Sequence, residues 1–249
     1  GFPLSGQEAR MSGWVGRAFL VLGIVAAATY LTSRQSFLHR WDLFHTLVTS
    51  KYFEEVGYFG IYESAVAVDA EANQLYDDVD RVRDLRTLTY TSRDEILADG
   101  RATEAFDEKR KAEFAADLRA FYEINPKRWH KLFQDKGYNG TPLYTFVSKA
   151  AADRVPFSRT GLTGLALIDV ALLALAFLAV AWGFGARTCV IALTFFCVNF
   201  PNRFVHMGGA FLRFDYIAFL MIGVACMRKQ RHGAAGALLA LATMERIFP

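Results

Sequence analysis

Long apolar runs enclose a polar middle in this chain. Trp14 to Leu31 is apolar except for Arg17 near its start, and Leu162 to Phe184 is a longer apolar run that contains one carboxylate, Asp169. About 20 apolar residues in a helix cross the roughly 30 Å hydrocarbon core of a bilayer. Both runs are therefore predicted to be transmembrane helices.

Three shorter apolar runs follow the second predicted span. They cover Thr188 to Phe200, Phe211 or Tyr216 to Met227, and the stretch from Ala234 onward. Each is shorter than an ideal span, so we expect it to reach into the interface or to be covered by further helices. The pattern predicts an all-α polytopic membrane protein: one transmembrane helix, a long outward-facing amphipathic helical loop, then about four further transmembrane helices.

The same runs divide the chain into three parts. Residues 1–33 hold the N-terminal segment and the first span, residues 34–159 form an outward-facing, extracytoplasmic helical loop domain, and residues 160–249 hold the remaining spans. The middle part carries 19 of the 28 Lys and Arg and 21 of the 25 Asp and Glu. Because the chain begins with Gly1 and ends within or just after an apolar run, we expect a fragment truncated inside a membrane domain.

The first apolar run also has the features of a cleaved signal peptide. Arg10 and Arg17 precede most of it, and an Ala-Ala-Ala sequence at 26–28 resembles a cleavage site. The spans that follow favour a retained transmembrane helix.

Helical periodicity dominates the polar middle. Ser92, followed by Arg93-Asp94-Glu95, is typical of a helix start, with a capping hydroxyl and acids in the first turn. Residues 87–92 are predicted to be extended. The predicted helices cover 42–53, 64–85, 103–122 and 143–152.

Composition and charge exclude several classes of function. The net charge is +3, with 53% hydrophobic and 21% charged residues and no basic stripe, which argues against nucleic-acid binding. The three cysteines lie in apolar runs, so the polar middle has no disulfide framework or zinc site. Phosphate-binding loops, dinucleotide fingerprints, nucleophile elbows and HExxH sequences are absent from the sequence.

Positive charges in short loops predict the topology. Basic residues flank the first span, occupy the connection at Arg187 and cluster at 228–232. All three places fall on one side if the N-terminus is cytoplasmic, and residues 34–159 then face outward. Arg203 and Arg213 are predicted to lie on the outer side, against this rule, so we expect them to have another function.

Asp42 is the first candidate for chemistry. It follows the first span by about ten residues and stands beside Trp41 and Phe44, which suit a membrane interface. A carboxylate held there can act as a general base. Asp42 and His45, three residues on, are also candidates to hold a divalent cation, although calcium and magnesium prefer oxygen ligands. The simpler alternative is that Asp42 caps the following helix.

The second set of candidates lies near the later spans. A carboxylate inside a span costs about 2.5–3.5 kcal/mol on insertion scales, so Asp169 is expected to face a cavity or a partner. The outer loop carries Arg203, His206, Arg213 and Asp215 beside a flexible Gly-Gly. The arginines of this loop are suited to bind a phosphate or pyrophosphate. Alternatively, they merely anchor the loop through Asp215 or a lipid phosphate.

With these features together, the layout resembles GT-C-fold integral membrane glycosyltransferases, which typically use polyprenyl-phosphate monosaccharides on the outer side of the membrane. Short sequence segments also resemble those of bacterial members of this family. The clearest are Trp41-Asp42-Leu43-Phe44-His45, Lys51-Tyr52-Phe53-Glu54-Glu55-Val56-Gly57-Tyr58 and Ile61-Tyr62-Glu63. The usual fold has more spans than this chain provides, in agreement with the expected truncation.

The resemblance implies transfer of a sugar from a polyprenyl phosphate to a glycan, lipid or protein acceptor at the bacterial inner membrane. The acidic residue after the first span is catalytic or metal-binding in that fold, and here it is Asp42. The residues expected to bind substrate are His45, Lys51, Asp169, Arg203, His206, Arg213 and Asp215.

Two alternatives to the enzyme stay open. One is a non-catalytic membrane subunit whose outward domain binds a protein partner, in line with the highly charged region 92–136. The other is a transporter fragment that uses Asp169 in an ion path, which the absence of paired broken helices makes weaker.

Overall fold

A computed structural model of the chain describes residues 6–32, 37–124, 126–199 and 207–245, and most of them are helical. They separate into two compact units. The first unit comprises 1–37 and 166–249, and the second comprises 38–165.

The helices are numbered in chain order. They are α1 (Gly6–Thr32), α2 (Arg40–Leu43), α3 (Thr49–Lys51), α4 (Phe53–Val56), α5 (Ile61–Ala72), α6 (Arg93–Asp99), α7 (Glu108–Ile124), α8 (Trp129–Leu132), α9 (Pro142–Ala152), α10 (Arg159–Phe184), α11 (Ala186–Val198), α12 (Asp215–Arg228) and α13 (His232–Glu245). A π-helix over Phe44–Val48 joins α2 to α3, and a short 3₁₀ turn covers Arg101–Thr103. Strands β1 (Arg81–Arg83) and β2 (Tyr90–Ser92) pair antiparallel, with Val82 opposite Thr91.

Among the described residues, two helices are long and apolar enough to cross a membrane. One is the stretch Gly13–Tyr30 of α1, and the other is α10, whose most apolar 18 residues have a mean hydropathy of 2.5. Only 11% of Gly13–Tyr30 and 28% of the most apolar 18 residues of α10 are buried inside the protein, whereas the core helix of a soluble protein is mostly buried. The structure thus confirms the predicted helical class and the two long apolar helices.

The three later apolar helices are shorter. Helix α11 has 13 residues, and α12 and α13 have 14 each. At about 1.5 Å per residue they extend roughly 20 Å, less than the hydrocarbon core of a bilayer.

The first unit packs helices in pairs, α1 against α11 and α12 against α13. Gly23 permits the close approach of α1 to α11, because a Cβ at this position would lie 3.2 Å from Thr194 Oγ1. A small aromatic core joins Tyr30, Phe196 and Phe214, with ring centroids 5.6 Å apart along each step.

The second unit has an aromatic core. The fully buried ring of Phe44 makes edge contacts with Phe121 and Trp129, at centroid distances of 5.8 and 5.4 Å. Helix α7 contributes Phe114, Leu118 and Phe121, which recur on one face of the helix and are all buried. Of the charged residues between them, Arg119 is exposed and Asp117 is partly buried.

In the polar middle, one local prediction is confirmed and another is wrong in part. The helix start at Ser92 is confirmed, since its side chain and that of Glu95 form a reciprocal capping box. The single helix predicted over 64–85 is wrong beyond Ala72. There the chain turns back, because Asp69 accepts hydrogen bonds from the backbone N–H groups of Gln74 and Tyr76, through its carbonyl and its carboxylate.

Candidate functional site

Asp42 lies in the first turn of α2, in the second unit. The N-cap of this helix is His39, whose Nδ1 accepts a hydrogen bond from the Asp42 backbone N–H at 3.3 Å. The structure therefore corrects the alternative in which Asp42 is itself the cap. The side chain of Asp42 is half-buried.

The π-helix begins two residues after Asp42. All five of its side chains are buried, including the polar His45 and Thr46. Its wider turn interrupts the single helix that the sequence predicts over 42–53. Well under 1% of residues in globular proteins are π-helical, and such turns occur frequently at functional sites.

His45 is held by Tyr62 of α5. Its Nε2 lies 2.6 Å from the Tyr62 hydroxyl, and both side chains are buried. Burial is the main cause that raises the pKa of Tyr62 well above its usual range, so the phenol stays neutral. Tyr62 thus holds the His45 ring by an oriented hydrogen bond, one helical turn from Asp42.

A chain of buried hydroxyls connects the π-helical region to α9. Thr46 lies 3.3 Å from the Tyr144 hydroxyl, and Ser50 donates to Tyr138 at 3.2 Å. Tyr138 also lies 2.9 Å from Thr145 Oγ1. Because buried hydroxyls with satisfied hydrogen bonds restrict side-chain motion, this network holds the segment after Asp42 in one conformation.

Lys51 forms an ion pair within the second unit. Its Nζ lies 2.5 Å from Asp117 Oδ2, and the Tyr52 hydroxyl donates to the same oxygen at 2.7 Å. Burial, and then the charge of Asp117, raise the pKa of Tyr52 above its usual range. Arg110 donates to the Lys51 carbonyl at 2.8 Å. The structure therefore places the Lys51 ammonium against Asp117, and its predicted substrate contact stays a prediction.

Asp169 lies on α10 in the first unit and is 2% exposed. Its carboxylate accepts hydrogen bonds from the backbone N–H groups of Arg213 and Phe214, directly before α12. Asp215, the first residue of α12, is fully buried, and its Oδ1 accepts from the N–H of Tyr216 at 2.8 Å. The structure thus brings Asp169 to the segment that carries Arg213.

The remaining predicted phosphate contacts, Arg203 and His206, lie outside the described residues. The Nε of Arg213 lies 3.4 Å from Met207 Sδ. An apolar cavity of about 110 Å³ in the first unit is lined by Asp169 together with aromatic and small side chains, among them Tyr30, Phe177 and Phe196.

A larger polar cleft of about 560 Å³ lies in the second unit. Ligand sites commonly measure about 300–1,000 Å³. Among its carboxylates, Glu63 pairs with Arg86 at 3.1 Å, Asp99 with Arg101, two residues along the chain, at 2.7 Å, and Glu55 with Arg110 at 2.6 Å. The charged residues in its lining are Glu55, Glu63, Asp84, Arg86, Glu95, Asp99 and Arg101.

Sequence reasoning missed this cleft because its lining residues follow no motif spacing. They are scattered from Glu55 to Ala105 and meet only when α5, α6 and the β-hairpin pack together. The hydroxyl of Thr87 is the first cause that lowers the pKa of Asp84, so that carboxylate is ionised at neutral pH. The cleft is therefore polar and net negative, which suits hydroxyl-rich or cationic ligands.

The part of the chain that the structure describes contains no group of three or more His, Cys, Asp or Glu that could hold a metal ion. His45 Nε2 bonds to the Tyr62 hydroxyl, and the cation predicted for Asp42 and His45 stays a prediction.

No family model matches the chain, and no curated protein or solved structure matches it.

Proposed function

We propose that the chain is part of a GT-C-type membrane glycosyltransferase with about five transmembrane helices, which transfers a sugar from a polyprenyl-phosphate donor to an extracytoplasmic acceptor. The observation that carries the proposal is the setting of Asp42. This half-buried carboxylate stands on the last turn before a buried π-helix, near the start of the polar unit that follows the first candidate span.

The chemistry assigned to Asp42 is that of a general base. A hydroxyl is a poor nucleophile until a base removes its proton, so Asp42 would take the proton of the acceptor hydroxyl as its oxygen attacks the anomeric carbon. The bond from that carbon to the phosphate oxygen breaks, and the lipid phosphate leaves with the electron pair. The sugar is thereby inverted at the anomeric carbon.

The surroundings of Asp42 support this role because they are fixed before a substrate binds. Its backbone is bonded to His39, and the π-helix that follows is held by the His45–Tyr62 hydrogen bond and by the buried hydroxyls of Thr46 and Ser50. A catalytic group held by packed neighbours spends less free energy on orientation during the reaction.

The phosphate of the donor requires cations, because negative charge grows on it as the bond to the sugar breaks. Arg203, His206 and Arg213 are proposed to supply them on the grounds of their chemistry. The two arginines also depart from the loop-charge rule.

The placement proposed for the second unit follows from its position between two helices that are able to span a membrane. If both α1 and α10 cross, the residues between them lie on one side, and the loop charges put that side outside the cytoplasm. The bacterial inner membrane and a cytoplasmic N-terminus are parts of the same proposal.

The test is transfer by the purified full-length protein in nanodiscs, with a panel of polyprenyl-phosphate sugars. We expect Asp42→Asn to lower the rate by about 10²–10⁴, the usual loss for a general base. Its stability should fall by only about 0.3–1 kcal/mol, because a carboxylate in the first turn interacts favourably with the helix dipole. The matched control is Asp78→Asn, an exposed carboxylate of the same unit.

Two results would oppose the proposal in different ways. An Asp42→Asn variant that folds normally and transfers at the wild-type rate removes the base from the mechanism. A well-folded wild-type protein that transfers none of the sugars favours the non-catalytic subunit, which is then expected to capture a protein partner through the second unit.

A further inference from the structure

Helix α9 carries its hydroxyl groups on the face that it turns toward the protein. Tyr144, Thr145 and Ser148 are all buried. The first two are within hydrogen-bonding distance of hydroxyls on Thr46 and Tyr138, in the interior of the second unit. The polar side of this amphipathic helix is therefore already used inside the protein.

The opposite face of α9 is apolar and accessible. Leu143, Phe146, Val147 and Ala150 follow the spacing i, i+3, i+4, i+7, which places them on one face of a helix. Phe146 is 71% exposed, and the other three are half-buried. A helix on a protein surface that faces water normally has the reverse arrangement, with its polar residues outside.

The position of α9 in the chain limits what covers this face. Six residues separate the end of α9 at Ala152 from the start of α10 at Arg159, and a fully extended chain of that length spans about 20 Å. The first residues of α10, up to Leu165, belong to the same compact unit as α9. If α10 enters the bilayer, α9 lies within reach of the headgroup layer.

The charges around the C-terminal end of α9 match a lipid surface. This stretch carries Lys149, Arg154 and Arg159 but one carboxylate, Asp153. Lys149 lies 3.7 Å from Asp153 and 3.9 Å from Glu54 of α4, so Arg154 and Arg159 supply the net positive charge. Basic residues beside an apolar helix face are typical of helices that lie in the membrane interface, where they interact with anionic headgroups.

The size of the face argues against a second copy of the chain as the occupant. Eleven residues of α-helix extend about 16 Å, and a helix about 10 Å wide offers roughly 160 Å² on one side. A stable protein interface buries about 800 Å² on each partner. A lipid surface requires no such minimum area if α10 crosses the bilayer, because α10 then fixes the unit to the membrane.

We propose that α9 lies in the membrane interface, with Leu143, Phe146, Val147 and Ala150 in contact with lipid and the neighbouring basic residues at the headgroups. The proposal does not depend on sugar transfer. It depends on the placement of α10 across the membrane, which is part of the proposed function.

The test uses the full chain with Cys189, Cys197 and Cys226 replaced by Ala and one environment-sensitive fluorophore attached to Phe146→Cys. The protein is placed in nanodiscs of phosphatidylcholine and phosphatidylglycerol at 3:1. These contain no nitroxide lipid, a lipid that carries a nitroxide near the headgroup, or a lipid that carries a nitroxide deep in its acyl chain. Ala116→Cys on α7 is the exposed control in the same unit, and Leu178→Cys on α10 is the control for depth.

We expect the label at position 146 to be blue-shifted and quenched at least about twofold more strongly by the nitroxide lipid than the label at 116. Removal of phosphatidylglycerol should weaken that quenching, because the basic residues lose their anionic partners. Leu143→Cys is a second reporter on the same face, should Phe146→Cys fold poorly.

The outcomes separate the two proposals. If the label at 178 is quenched by nitroxides deep in the bilayer but labels at 143 and 146 are not, α9 is not interfacial, while α10 still crosses. If the label at 178 is not quenched either, the membrane placement in the proposed function fails as well. A blue shift at 146 without lipid quenching means that protein covers this face, and it overturns the inference.

Discussion

The carboxylate of Asp169 accepts a bifurcated hydrogen bond from the backbone N–H of Arg213, at 2.8 Å to Oδ2 and 3.0 Å to Oδ1. Oδ1 also accepts from the N–H of Phe214, the N-cap of α12, at 3.2 Å. Backbone N–H groups at the start of a helix have no partner within the helix and attract negative charge. Asp169 therefore ties the start of α12 to α10, which offsets the cost of an acidic side chain in an apolar helix.

This contact predicts that Asp169→Ala lowers the stability of the protein by about 1–3 kcal/mol, because backbone donors in a buried site lose their acceptor. Arg213→Ala keeps its backbone N–H, so it should cost less. Thermal unfolding of both variants in the same detergent measures the difference. Equal losses would contradict this prediction, because the Arg213 side chain would then matter to stability as much as the Asp169 carboxylate.

The side chain of Arg213 has a separate prediction, which concerns the donor. We expect Arg213→Ala to raise the KM for the polyprenyl-phosphate sugar in the full-length protein, since a phosphate contact is charge-assisted. The Tm should change only slightly. Unchanged donor kinetics together with a lower Tm would make Arg213 a structural residue.

The topology predicts which positions a membrane-impermeant thiol reagent reaches in intact cells. Single cysteines in place of Asp99 and Lys136, both exposed in the second unit, should be labelled, whereas one in place of Gln230 should not. Permeabilised cells, in which all three sites become accessible, are the control. Labelling at 230 but not at 99 would reverse the orientation.

The Lys51–Asp117 ion pair predicts a measurable coupling. Both side chains are less than one-fifth exposed, at 19% and 17%, so water screens the pair incompletely. A double-mutant cycle with Lys51→Met and Asp117→Asn should give a coupling of about 1 kcal/mol in the free energy of unfolding. A coupling near zero, with altered donor kinetics in Lys51→Met, would instead support the predicted substrate contact.

Asp69 predicts a specific dependence of stability on pH. Burial is the first cause that raises its pKa above the ordinary value of 3.8, although the N–H of Tyr76 acts in the opposite direction. The folded state therefore holds this proton at a pH where the unfolded state has released it, and the wild type loses stability as pH rises above about 4. Asp69→Asn lacks this titration.

The measurement is the Tm of wild type and Asp69→Asn at several pH values from about 3.5 to 7. We expect the Tm of the variant, relative to the wild type, to be higher at pH 7 than at pH 3.5. A difference that stays constant over this range would mean that Asp69 titrates alike in the folded and unfolded states.

Local features of the sequence were sufficient where one segment alone decides the structure. The length and apolarity of Gly13–Tyr30 and of Arg159–Phe184 are enough to predict two long apolar helices, because a helix satisfies its backbone hydrogen bonds within its own segment. The capping box at Ser92 and the buried face of α7 also follow from residues three or four apart.

The candidate site was predictable only as a set of residues, because their partners are distant in the sequence. Asp42 and His45 stand out by their position after an apolar run, yet the π-helix between α2 and α3 does not follow from local periodicity. That segment packs Phe44 against Trp129 and bonds His45 to Tyr62, from other parts of the second unit.

By itself, then, the sequence determined the helical class, the two long apolar helices and the charged segment between them, since these depend on composition and on short-range spacing. The tertiary structure decided the rest: the Lys51 ammonium meets Asp117, Asp169 bonds to the backbone at Arg213, and a polar cleft forms from residues that share no motif. It also decided that α9 turns its hydroxyls inward and Phe146 outward, because periodicity places residues on one face but only packing against other elements chooses the face that is buried.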